Sequence, residues 1–261
     1  MELFSWTPER AGVAGVRRRV GGTQNFGDAL GPLVVRELLR RNGLSPEAAA
    51  RSARLLSIGS VVHLAMDGDV LWGSGVNGKM SPDRHTYRSL DVRAVRGPLT
   101  RHFLQGRGVP APAVYGDPGL LVGHLWTAED LRGDEPDHEV TVVPNLNDLA
   151  AYAGTPGLLR PTAALSTCLR RIAASRLVVG SALHGLVVAE ALGIPARLVR
   201  SGVEHPLKYE DYYRGTGRQA CPARDVAQAI SWGGQAPPQW EPGPLLDAFP
   251  LDLWTCADPA G

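Results

Sequence analysis

The clearest hydrophobic pattern runs from Leu177 to Arg200, LVVGSALHGLVVAEALGIPARLVR. Leu177 to Val179 is short, branched and apolar, which suits a strand buried on both faces. Gly180-Ser181 is turn chemistry that can also start a helix, so a helix is predicted from near Ala182. Only His184 and Glu190 are polar between Leu183 and Leu192, so this helix is mostly buried, and Gly193 with Pro195 ends it. A second apolar strand follows, completing a strand-helix-strand unit.

The rest of the chain alternates in the same way. Glu2 to Trp6 reads as an opening strand. After a loop rich in Gly and Arg, Asn25 or Asp28 can cap a helix whose apolar positions Leu30, Leu33, Val34 and Leu38 recur near helical spacing. RLLSIGS (54–60), VLWGSG (70–75), VRAVRGP (92–98) and AVYGDPG (113–119) read as strands that run into small or polar turns, with a helix over Pro98 to Gln105. EVTVVPN reads as a further strand, Thr162 to Ser175 as an amphipathic helix and Ala223 to Ile230 as another. The class predicted is α/β with mostly parallel sheets. The acidic, Gly- and Pro-broken stretch Thr127 to Glu139 is the expected linker, which places one lobe at 1–126, a second at 140–232, and a Pro- and Trp-rich arm at 233–261 that packs back on the body. If the strands are parallel, Asn25, Asp28, Ser60, Gly75, Arg96 and Asp117 gather on the rim at their carboxyl ends, where open sheets bind ligands.

Composition narrows the function classes. Lys plus Arg number 27 against 26 Asp plus Glu over 261 residues, a net charge of +1, so no global field favours nucleic acid. Cys168, Cys221 and Cys256 lie far apart without metal-site spacing and are expected to be reduced. The start of the chain lacks a signal-peptide pattern, and no apolar run reaches the roughly 18 residues of a membrane span. The expectation is a cytoplasmic protein with no membrane span and no metal. With no G-x-G-x-x-G between strand and helix and no P-loop, NAD and P-loop nucleotide chemistry are disfavoured.

His184 is the leading chemical candidate. A histidine in the first turn of a helix lies beside unsatisfied N–H groups and the positive end of the helix dipole, a place that attracts anions. The alternative is a core histidine bonded to a backbone carbonyl. Arg17 to Arg19 read as a solvated basic loop.

NFGD (25–28), VRGPLT (95–100), GDPGLL (116–121), SALHGLVVAEALGIP (181–195) and KYEDYY (208–213) occur in an order and spacing that resembles the polysaccharide pyruvyl transferases over nearly the whole chain. The resemblance implies two Rossmann-like lobes in a GT-B-like arrangement. It also implies transfer of pyruvate from phosphoenolpyruvate, a co-substrate and not a cofactor, to a sugar or glycan acceptor, lipid-linked or soluble, usually as a cyclic ketal. His184 would be the general acid/base. Arg96, Gly180, Ser181 and Lys208 would hold the donor, and Asn25, Asp28 and Asp117 would contact substrate. Arg96 can instead be a solvent-exposed arginine at a helix start, Asn25 and Asp28 can simply cap their helix, and Asp117 can simply form a turn with Pro118. Many members carry Arg-Leu-His where this chain has Ala182-Leu183-His184, so a guanidinium able to grip an anion at two points is absent here. Glu190, six residues past His184, lies about 240° around the helix and forms no dyad with it. Two alternatives stay open: a GT-B glycosyltransferase gripping a nucleotide sugar through Glu190, and a non-catalytic glycan-binding protein on the same fold.

Overall fold

The structure is a computed structural model that describes residues 2–3, 25–48 and 53–255. Trp6, Arg17 to Arg19 and Cys256 lie outside the described residues. Four parallel strands, β1 (Glu2–Leu3), β2 (Arg54–Leu56), β3 (Val70–Trp72) and β4 (Asp91–Ala94), form one sheet in chain order. Three more, β5 (Thr141–Val142), β6 (Val178–Gly180) and β7 (Ala196–Leu198), form a second parallel sheet in which Val178 pairs Thr141 on one side and Ala196 on the other. Two small parallel sheets with helices between strands make a mixed α/β architecture, as the alternating pattern predicts.

The helices are α1 (Phe26–Arg41), α2 (Pro98–Gly106), α3 (Val122–Leu125), α4 (Ala128–Arg132), α5 (Leu165–Ala173), α6 (Leu183–Ala191), α7 (Leu207–Gly215), α8 (Val226–Trp232) and α9 (Gly243–Asp247). Every α6 residue from Leu186 to Ala189 is fully buried, as a helix apolar on all sides must be. One apolar core joins both sheets, running from Phe26, Leu30 and Trp72 through Val143 and Val178 to Leu186 and Tyr212.

Two local expectations need correction. AVYGDPG does not form a full strand: Tyr115 makes an isolated bridge to Val95, after which the Asp117 carboxylate accepts from Gly119 N at 2.9 Å and turns the chain into a 3-10 segment, Pro118–Leu121. Thr127 to Glu139 is not simply open chain. It begins as α4, closed by a capping box in which Thr127 and Asp130 exchange side-chain and backbone bonds. KYEDYY, a motif to which the sequence assigns no element, lies within α7 with Tyr209, Asp211, Tyr212 and Tyr213 buried.

The C-terminal stretch packs on the first sheet. Trp72 Nε1 donates to Leu245 O at 2.9 Å, its ring meets Phe249 edge-on at 4.8 Å, and Trp240 Nε1 donates to Tyr115 O at 2.9 Å.

Candidate active site

The site forms where two helices start. At the end of β6, Gly180 has φ +150°, and a Cβ there would lie 2.0 Å from Val143 O, so only glycine allows this approach. Ala182 N then donates to Val143 O at 3.0 Å and α6 begins, with His184 in its first turn. Asn25 caps α1 by accepting from Gly27 N at 3.3 Å, while Phe26 N donates to Pro161 O at 2.9 Å and fixes where α1 enters. A Cβ on Gly27 would lie 2.3 Å from His184 Nδ1, so the first turn of α1 rests directly on the imidazole. Both helix starts face one cavity of about 300 Å³.

Asn25, Asp28, His184 and Lys208, all predicted from sequence, line this cavity together. Asp117 sits behind it, fully buried. One of its oxygens caps the Pro118–Leu121 turn, and the other lies 3.6 Å from His184 Nε2. That distance exceeds a hydrogen bond, and neither atom has another hydrogen-bond partner among the described residues. Asp117 thus forms the turn and faces His184, and it does not itself line the cavity. Burial pushes the Asp28 carboxyl up from 3.8 to about 6, opposed by His184 and Lys208.

Glu204 was not anticipated and proves central. It accepts from Lys79 Nζ at 2.7 Å, Lys208 Nζ at 2.9 Å and Asn147 Nδ2 at 2.8 Å. Burial would raise this carboxyl, yet the two ammoniums and the amide hold it down at about 2. Burial pulls Lys208 below its ordinary value, with Glu204 opposing. His63 also lines the cavity, its pKa lowered by burial and by Arg84.

The other predicted residues lie elsewhere. Ser181 is fully buried and bonded on every side: its Oγ donates to Asp148 Oδ2 at 2.6 Å and accepts from Asn145 N, and its carbonyl accepts from Tyr209 OH at 2.7 Å. Together with Gly180 it shapes the bend and does not line the cavity. Arg96 does not open on the cavity. It is 1% exposed, donates to Ser60 Oγ at 2.7 Å and Val76 O at 3.2 Å, and its Nε lies 3.4 Å from Asp211 Oδ2, close enough for an ion pair but too poorly aligned for a hydrogen bond. The solvent-exposed alternative for Arg96 is likewise corrected, because Gly75 leaves space for the guanidinium to pass inside. Glu190 is gripped by both terminal nitrogens of Arg218 at 2.8 and 2.7 Å and by Tyr212 OH.

The cavity thus brings together two helix starts, two lysines, two carboxylates and a histidine backed by Asp117. The chain belongs to the polysaccharide pyruvyl transferase family, whose model matches residues 25–202, about two thirds of its length. Among relatives, it is similar to the succinoglycan biosynthesis protein ExoV of Rhizobium meliloti strain 1021, at 25% identity over 179 residues. That match takes in 65% of this chain and 56% of the relative, so the chain spans little more than half of ExoV's length. A solved structure of an uncharacterized Klebsiella pneumoniae protein superposes with a TM-score of 0.47 at 11% identity, covering 77% of this chain and 89% of that one, a likeness too loose to build on. Among the described residues, no helix is long and apolar enough to cross a membrane.

Proposed function

We propose that this protein transfers pyruvate from phosphoenolpyruvate to a pair of hydroxyls on a sugar of a glycan or glycan precursor, giving a ketal, on two Rossmann-like lobes in a GT-B-like arrangement. The observation that supports this reading best is His184, which lines the cavity with Asp28 at the anion-attracting start of α6 and is backed by Asp117.

The chemistry assigns each group a task. His184 gives a proton to the donor's methylene carbon, which becomes a methyl group and leaves C2 electrophilic. A sugar hydroxyl bonds to C2 as Asp28 takes its proton, a second hydroxyl displaces phosphate, that hydroxyl's proton leaves with the phosphate, and Asp28 then returns its proton to His184, which restores both groups. Asp117 acts through His184 by holding the imidazolium when it forms. The start of α6, with Lys208, stabilises the donor's negative charge. Because Glu190 is held by Arg218 and Tyr212 outside the cavity, it is not free to grip a ribose, which weighs against the nucleotide-sugar alternative.

Calorimetry is the direct test. Phosphoenolpyruvate is expected to bind and UDP-sugars are not; binding of UDP-sugars alone would overturn the reading.

Asp28 supplies a second check. Its folded pKa of about 6 exceeds the unfolded value of 3.8, so between those values the folded state holds more protons and stability falls as pH rises. Asp28→Asn is therefore expected to raise stability by on the order of 1–3 kcal/mol at neutral pH, the gain vanishing below about pH 4, while turnover drops. Urea midpoints that differ equally at both pH values would remove the buried-carboxyl explanation.

A further inference from the structure

Two ammoniums, Lys79 and Lys208, and two carboxylates, Asp28 and Glu204, face the cavity. These four side chains pair two positive charges with two negative ones, although the phosphate and carboxylate of phosphoenolpyruvate together bring more than two negative charges. The lysines' charge is already taken by Glu204, whose side chain is only 6% exposed and is held at three points.

Glu204 also faces a second space. It lies on the bend between β7 and α7, next to Gly202 and the exposed Val203, and it lines a neighbouring cavity of about 440 Å³ together with Arg200, Ser201 and Tyr209. Arg200 is solvent-exposed and makes no ion pair among the described residues. The same carboxylate thus stands in the wall between two cavities, with lysines on one side and an unpaired guanidinium on the other.

We infer that Glu204 is a built-in competitor for the donor anion: it occupies Lys79 and Lys208 while the site is empty and turns to Arg200 when the donor's phosphate or carboxylate takes its place. This rests on the pyruvyl-transfer reading for the identity of the donor. The placement of charges itself needs only an anion. Lys79 becomes a donor ligand from the first half of the chain, and Arg200 becomes a positioning residue that acts through Glu204. A displaceable carboxylate lowers affinity for weakly charged anions most, because only a ligand with enough charge can compete for both ammoniums.

The test is a double-mutant cycle read by calorimetry with phosphoenolpyruvate and with inorganic phosphate, at about pH 6 so that burial does not neutralise Lys208 once its partner is gone. Glu204→Gln is expected to tighten both ligands by about tenfold. Arg200→Gln is expected to weaken both by about threefold in the wild-type background and to have no effect beside Glu204→Gln. Unchanged or weaker binding in Glu204→Gln overturns the inference, as does an Arg200→Gln effect of equal size in both backgrounds. If wild type binds inorganic phosphate but not phosphoenolpyruvate, and Glu204→Gln still tightens phosphate, the competitor role stands and the pyruvyl reading falls. If neither ligand binds either protein, the competitor role falls. Thermal melts of each variant separate loss of fold from loss of binding, since Glu204→Gln keeps the side chain's shape.

Discussion

His184→Gln is expected to cut turnover by about a hundred- to ten-thousand-fold while donor affinity changes by no more than a few fold, the pattern for losing a proton donor. Glutamine keeps a polar group of similar reach beside Gly27 but cannot cycle a proton. Phosphate release from phosphoenolpyruvate with an accepted sugar measures the rate, and calorimetry measures the affinity. Release that survives the change would move the acid/base role to another group, Asp28 being the next in place. Asp117→Asn should show a smaller loss of the same kind, because the imidazolium would lose its nearest buried negative charge, 3.6 Å from Nε2.

Asp211→Ala is expected to destabilise the fold by about 3–5 kcal/mol, because it strands a buried guanidinium. Arg96 and Asp211 are both fully enclosed. Asp211 also caps α2 from outside: its Oδ1 accepts from Leu99 N at 2.9 Å and Thr100 N at 3.0 Å, and its Oδ2 accepts from Thr100 Oγ1 at 2.6 Å. The helix's own N-cap, Gly97, has no side chain to offer. Urea unfolding of Asp211→Ala and Arg96→Ala should give comparable losses, and the Arg96→Met, Asp211→Leu pair should recover part of the stability because no buried charge is left alone. If Arg96→Ala instead melts like wild type and only weakens phosphoenolpyruvate binding, the arginine is a donor clamp after all.

Those residues show what a sequence can and cannot reveal. The β6-α6-β7 unit was legible because its strands and helix are apolar on nearly every side, and the boundaries found differ from the expected ones by a residue or two. Asn25, Asp28, His184 and Lys208 were legible as separate candidates at turns and helix starts, and the fold brings them to one cavity. Asp117 was legible as a rim residue, but its two-sided role depends on a neighbour 67 positions on in the chain. The burial of Arg96 was not legible because its environment is set by Asp211, and a carboxylate inside KYEDYY breaks the apolar period that would have announced a buried helix. Lys79 and Glu204 carried no signal at all. Each is a single charge in a loop, indistinguishable from a solvated one until the two loops are brought within 2.7 Å.

The bond between Trp240 and Tyr115 bears on how the protein can be shortened. Gly116, with φ +157°, sits against the Trp240 indole, where a Cβ would lie 2.9 Å from Nε1, and the next residue is Asp117. The last stretch of chain therefore braces, from behind, the turn that carries the carboxylate facing His184. Trimming to the family-matching residues 25–202 would discard Glu204, Lys208 and Asp211 at once, and even a milder cut before Trp240 would leave the Asp117 turn without its backing.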